Sequence, residues 1–161
     1  MIIRTITVFD QININNFKDK IYSAADFLKQ KRDKIESLGH QLQTTRVSCQ
    51  LFDEKINTLP ASDLLTLFKK INQVCKEQKI NFFNPGTIPL VNQSLIKKIP
   101  PILSSCENIH CSAAFLPEES LSKQALIAAQ LFTKIIELDY KSTFRIGVQA
   151  NCPELIPFYP A

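Results

Sequence analysis

The chain has no tryptophan, one methionine, three glycines and two histidines in 161 residues. Each scarcity argues against a class of chemistry. The glycines, Gly39, Gly86 and Gly147, are far apart in sequence. Neither G-x-G-x-x-G nor G-x-x-x-x-G-K-[ST] can be assembled from them, which disfavours the nucleotide cradles that bring backbone close to phosphate. There is no G-x-S-x-G elbow for a hydrolase. With only His40 and His110, and no C-x-x-C or H-x-x-x-H, the usual zinc spacings are missing, and no metal or other cofactor is expected. No apolar run approaches the ~18–20 residues that span a bilayer. The N-terminal "MIIRTITVFDQ" is apolar but short, alternates, and lacks a small-residue cleavage site, so it reads as a strand rather than a leader. The net charge of +4 comes from lysines spread along helical stretches, which argues against a nucleic-acid partner. Five cysteines without paired spacing read as free thiols in a reducing cytoplasm.

What the chain does have is alternation. Residues 2–9 are β-branched and read as strand one. Residues 13–39 carry Phe17, Ile21, Ala24, Leu28, Ile35 and Leu38 on one helical face, with asparagines 13, 15 and 16 to cap the start and Gly39 at the end. Residues 43–52 read as strand two. Leu64, Phe68, Ile71 and Cys75 mark a second helix over 62–78, with Ser62 as its cap. Residues 80–84 form a short strand three that "NPG" ends as a turn. A third helix over 92–106 must break or restart at Pro100 and Pro101. Residues 109–115 are strand four. The cleanest helix runs over 117–138, with Pro117, Glu118 and Glu119 in its first turn. Residues 143–152 are strand five.

The expected fold is therefore a single α/β domain over residues 1–161. Five mostly parallel strands alternate with four helices, β-α-β-α-β-α-β-α-β, joined by right-handed crossovers. A sheet covered on both faces needs continuously apolar strands. Three of these strands alternate instead. In strand two, Arg46, Ser48 and Gln50 oppose Val47, Cys49 and Leu51. In strand four, His110 and Ser112 oppose Ile109, Cys111, Ala113 and Phe115. In strand five, Arg145, Gly147, Gln149 and Asn151 oppose Phe144, Ile146, Val148 and Ala150. All four helices are expected on the apolar face. The other face meets water in a plain two-layer sheet, or forms an internal site.

The chemistry is diffuse. Cys49, Cys75 and Cys111 fall on apolar faces and Cys106 closes a helix, so all four read as inert core thiols. Cys152 lies past a strand end, where chemistry collects in parallel folds. His110 as a base would need a reacting group within reach, and none is evident. His40 reads as a loop or cap residue. The candidate ligand-binding set is Arg46, Ser48, Gln50, Asn84, His110, Ser112, Arg145, Gln149 and Asn151. Arginines with amides and hydroxyls suit a small polar or anionic ligand. The same residues could equally line an interface.

Two stretches carry a family resemblance. "IRTITVF" at 3–9 and "GVQANCPELIPFYPA" at 147–161 resemble the N-terminal strand and a mid-chain segment of the family called domain of unknown function 711. The positions that match are Asn151, Pro153, Pro157, Phe158, Tyr159, Pro160 and Ala161. The resemblance implies a barrel like that of pyruvate formate-lyase-type glycyl radical enzymes, ten strands in two five-stranded halves. It implies members more than twice this length, so the chain is expected to be an N-terminal half-barrel. A missing C-terminal half, a second polypeptide or a homodimer would complete it. None of the three glycines lies in a radical-glycine motif, so radical chemistry is not carried over. Two functions stay open. One is a ligand-binding or catalytic half-barrel, and the other is a non-enzymatic interaction domain.

Overall fold

The computed structural model describes residues 1–150. The expectations for Asn151, for Cys152 and for the proline-aromatic turn at 153–161 lie outside the described residues. The fold is α/β with parallel strands. Strand β1 (Ile2–Phe9) leads into α1 (Phe17–Ser37), β2 (Gln41–Ser48), the short α2 (Glu54–Thr58) and α3 (Ala61–Glu77). Then come β3 (Phe82–Asn84), β4 (Thr87–Pro89), α4 (Gln93–Ile96), α5 (Ile99–Ser105), β5 (Cys111–Ala114), α6 (Leu121–Asp139), a 3-10 turn (Tyr140–Arg145) and β6 (Ile146–Gln149).

The strands form two three-stranded parallel sheets, ordered β1-β2-β3 and β4-β5-β6. Among the described residues one parallel bridge, Phe83 to Ile109, links them. Only Pro85 and Gly86 separate β3 from β4. The expected strand three ends at Asn84, as β3 does, although β3 begins two residues later, at Phe82. "NPG" ends β3 as expected, but a further strand, β4, begins directly after it, with Thr87 paired to Ser112 of β5.

The break has a definite construction. The Asn84 carboxamide oxygen accepts from the Gly86 N–H at 2.8 Å, a local turn of the kind asparagine favours. Gly86 adopts φ +115°, which side chains disfavour. Past the bend, the Thr87 backbone has the Gln50 side chain beside it in place of a strand. Thr87 N–H donates to Gln50 Oε1 at 3.3 Å, and Gln50 Nε2 donates to the Thr87 carbonyl at 3.4 Å.

Burial follows the alternation. Val47, Cys49, Phe83, Cys111, Ala113 and Ile146 join Ile21, Leu28, Phe68, Ile71, Ile102 and Leu131 of the helices in one apolar cluster. Each fully buried Phe or Ile here contributes about 1.5–3 kcal/mol relative to exposure. The opposite alternates are Arg46, Ser48, Asn84, Thr87, Ser112, Gly147 and Gln149, which the register brings side by side. Several boundaries differ from expectation. Pro60, not Ser62, precedes α3, and no side chain caps it. The last long helix begins at Leu121, leaving Pro117, Glu118 and Glu119 ahead of it. The third expected helix divides into α4 and α5, with the prolines in the first turn of α5, where an N–H is dispensable. Helix α2 was not expected. Asp53 caps it by accepting from Ile56 N–H at 2.9 Å, and fully buried Ile56 anchors it.

At Gly86 a Cβ would stand 2.9 Å from the Cys49 carbonyl and closer still to the Gln50 amide. At Gly39, φ +75°, nothing lies within 4 Å. Gly39→Ala should therefore cost about 1 kcal/mol, for φ alone. Gly86→Ala should cost at least about 3 kcal/mol, because the turn must also shift. Urea unfolding of the two variants measures the gap.

Candidate functional site

The polar alternates form a connected patch. Asn84 Nδ2 donates to Ser112 Oγ at 3.4 Å. Gln149 Nε2 donates to Thr87 Oγ1 at 3.1 Å. Ser48, Asn84, Thr87, His110 and Ser112 are all buried, and Ser112 is 1% exposed. Arg46 is half-buried, its guanidinium carbon 5.2 Å from the Phe82 ring centre. Phe82 in turn meets His110 edge-on, at 4.3 Å between ring centres. Seven of the nine expected residues, Arg46, Ser48, Gln50, Asn84, His110, Ser112 and Gln149, therefore belong to this patch or its rim. Asn151 lies outside the described residues.

Arg145 is placed elsewhere. Residues 143–145 were expected to open strand five, but they close a 3-10 turn instead. The turn continues from the end of α6, where the Asp139 carboxylate accepts from Lys141 N–H and Ser142 Oγ. Phe144, expected in the core, is 80% exposed as a result. The Arg145 guanidinium donates to the carbonyls of Leu103 and Cys106 and to Ser142 Oγ, each at 2.5 Å. Asp139 lies 3.7 Å away. Leu103 and Cys106 end α5, so Arg145 satisfies carbonyls that a helix C-terminus leaves open and places its charge at the favourable end of the dipole. It is a helix cap, held by protein acceptors, rather than an anchor on the polar face.

His110 and the buried thiols are tuned away from reactivity near neutral pH. Burial, then the charges of Arg145 and Arg46, hold His110 down to about 3, so the imidazole is neutral. Burial pushes Cys75 and Cys111 up to about 12 and raises Cys49 and Cys106 as well. These thiols are core groups, as expected. Among the described residues no cluster of three His, Cys, Asp or Glu side chains could hold a metal ion. Among the described residues no helix is long and apolar enough to cross a membrane.

Two clefts open at the C-terminal ends of the strands. One, of about 680 Å³, lies between the end of β1 and its following loop (Phe9–Asn13) and the segment Ser48–Gln50. Its Asp10 pairs with Lys20 at 3.0 Å. The second, of about 520 Å³, is bounded by Gln50, α2, the start of α4, and the ends of β4, β5 and β6. Gln50 is common to both. Asn57, Thr87 and Asn92 line the second cleft and were not expected as site residues. Thr87 was missed because no strand was expected directly after "NPG". Asn57 sits on a helix of five residues, too short to show periodicity.

These features define a parallel α/β domain whose clefts lie at the carboxyl ends of its strands, where such folds bind ligands. Residues 1–161 match the family described as Uncharacterised ACR (DUF711), and the chain belongs to that family. No curated protein matches it.

Two outcomes follow from the side-chain environments. Arg145→Ala should destabilise the fold by about 2–4 kcal/mol, since buried carbonyls lose a charged donor. Arg145→Lys should recover only part, lacking the planar fork. Chemical denaturation of both variants tests this. His110 titrates lower in the folded than in the unfolded chain. Stability is therefore full above pH ~6.5 and falls with pH, as the unfolded chain alone takes up the proton; the loss is about 2 kcal/mol from pH 7 to 5. In His110→Gln that component of the pH slope should vanish in urea titrations.

Proposed function

We propose that the chain is one half of an α/β barrel that binds a small polar ligand at the carboxyl ends of its parallel strands. One observation carries this reading. Two adjoining clefts open at those ends, they share Gln50, and the connected polar patch through Thr87, Gln149, Ser112 and Asn84 runs up to them. The volumes suit a small molecule. Binding is favoured over acid–base or thiol chemistry at the polar patch, because His110 and the buried thiols Cys75 and Cys111 titrate far from neutrality.

The half-barrel arrangement is supported by the single apolar cluster that joins the helices to one strand face, with polar residues on the other. It is also supported by β1 and β6, each of which pairs with one strand only among the described residues. A second copy, or another polypeptide carrying the second half, would close the ten strands of a glycyl radical enzyme-like barrel.

Ligand-observed NMR against a panel of small hydroxy acids, amino acids and polyols tests the binding function. A hit that Gln149→Ala weakens supports it. A panel with no hit that depends on Gln149 overturns it. Light scattering after gel filtration reads the assembly. A dimer at micromolar concentration is expected, and a monomer there counts against closure by a second copy.

The alternative, an assembly domain without a ligand, has one observation in its favour. Leu126, Ile136 and Leu138 of α6 are each about half exposed or more, at 59%, 55% and 49%. Ile136→Glu separates the two readings. Loss of the dimer with ligand binding intact keeps the binding function. Loss of the dimer in a protein that binds no panel member favours the assembly domain.

A further inference from the structure

We infer that the cleft of about 520 Å³ takes an uncharged, hydroxyl-rich ligand of the sugar or polyol class, and that Asn57 is its principal acceptor. This rests on the binding function proposed above and narrows it.

The charge of the walls comes first. The polar groups that line the cleft are Gln50, Asn57, Thr87, Asn92, Gln149 and Glu118. Four are carboxamides, one is a hydroxyl, and the one charged residue among the described residues, Glu118, is exposed. No lysine or arginine among the described residues lines it. An anion would enter with no counter-charge and would meet a carboxylate at the rim, so the phosphate and carboxylate classes are disfavoured. Lys98 touches the backbone of one lining residue, but its ammonium group is held by the carbonyls of Asn57 and Leu59 at 3.1 and 2.8 Å. Neither Arg145 nor Arg46 lines the cleft. Arg145 is bound to the end of α5, and Arg46 lies over Phe82.

The second observation is independent of charge. The Asn57 side-chain oxygen is closed off from solvent and accepts no hydrogen bond, so a ligand reaches it once the carboxamide turns into the cleft that the residue lines. A buried acceptor left unmatched costs about 1–3 kcal/mol, so it calls for a donor. Its backbone is firmly placed, because Asp53 caps α2 and Lys98 ties down the carbonyls that end it. The third observation is the apolar wall. Phe52 and Phe115 line the same cleft as the carboxamides. Carboxamides supply both donors and acceptors to hydroxyls, and aromatic or apolar surface meets the C–H faces of a sugar ring. A ligand with several hydroxyls satisfies all three features, whereas a purely apolar one would leave Asn57 unmatched.

The test is saturation-transfer NMR with calorimetry on the full chain. The probes are glucose and xylitol as neutral polyols, malate and inorganic phosphate as anions, and putrescine as a cation. A neutral polyol should bind, and Asn57→Ala should weaken it about tenfold, the equivalent of one hydrogen bond. Asn57→Asp keeps an acceptor oxygen and should hold the affinity within about threefold, which a merely structural role of the amide would not ensure. Binding of malate, phosphate or putrescine in place of the polyols, still dependent on Gln149, would overturn the ligand class and leave the binding function standing. Polyol binding indifferent to Asn57→Ala would overturn the role of Asn57. No probe bound at 20 mM would overturn the inference, while the broader panel decides the binding function separately.

Discussion

The bend at Pro85 and Gly86 is the constraint on which the rest of the structure depends. It divides one extended stretch into β3, which bonds to β2, and β4, which bonds to β5. A bend inside a parallel sheet ordinarily leaves backbone groups without partners, at a cost of a few kcal/mol each when buried. Here the Gln50 carboxamide supplies one acceptor and one donor to Thr87, in the place a neighbouring strand would occupy. The Asn84 carboxamide oxygen accepts from the Gly86 N–H in the same way. Two side chains thus stand in for missing sheet, and glycine is needed where they crowd the backbone. The divergence of β2 from β4 that follows opens room at the strand ends, and both clefts include Gln50.

Much of this was legible in the sequence. Period-two alternation identified the faces of β2 and β5 correctly, because Val47 and Cys111 are buried against helices while Arg46 and Ser112 face the other way. The long helices α1, α3 and α6 were legible from their apolar stripes. The failures have local causes. Glycine and proline mark a bend, but they do not say whether the strand resumes. Arg145 lies in register with polar alternates only if the strand starts at residue 143. A 3-10 turn, capped by Asp139, intervenes and turns the arginine toward α5. Asn84 and Gln50 were rightly placed together, yet much of their hydrogen bonding goes to the backbone of the bend. Sequence pattern can bring polar residues to one place. It cannot say which of them the fold itself consumes.

That distinction reshapes the electrostatics of the polar face. With Arg145 committed to carbonyls and His110 kept neutral, the described patch carries one positive group, Arg46, lying against an aromatic ring. What remains is mainly amide and hydroxyl. Such groups discriminate by direction rather than by charge, because each must be matched by a donor or acceptor at the right angle.

The order of the strands has a further consequence, for synthesis. Within each sheet every strand pairs with its successor in the chain, at separations of 39 residues for Ile2 with Gln41, 36 for Arg46 with Phe82, 25 for Thr87 with Ser112 and 35 for Cys111 with Ile146. No strand must be held open for one made much later. As the chain leaves the ribosome, each completed strand-and-helix unit finds its docking edge already formed, so assembly can keep pace with elongation. The exposed apolar edge of a half-made sheet is thereby kept short-lived, which limits the time in which two nascent chains could pair with each other.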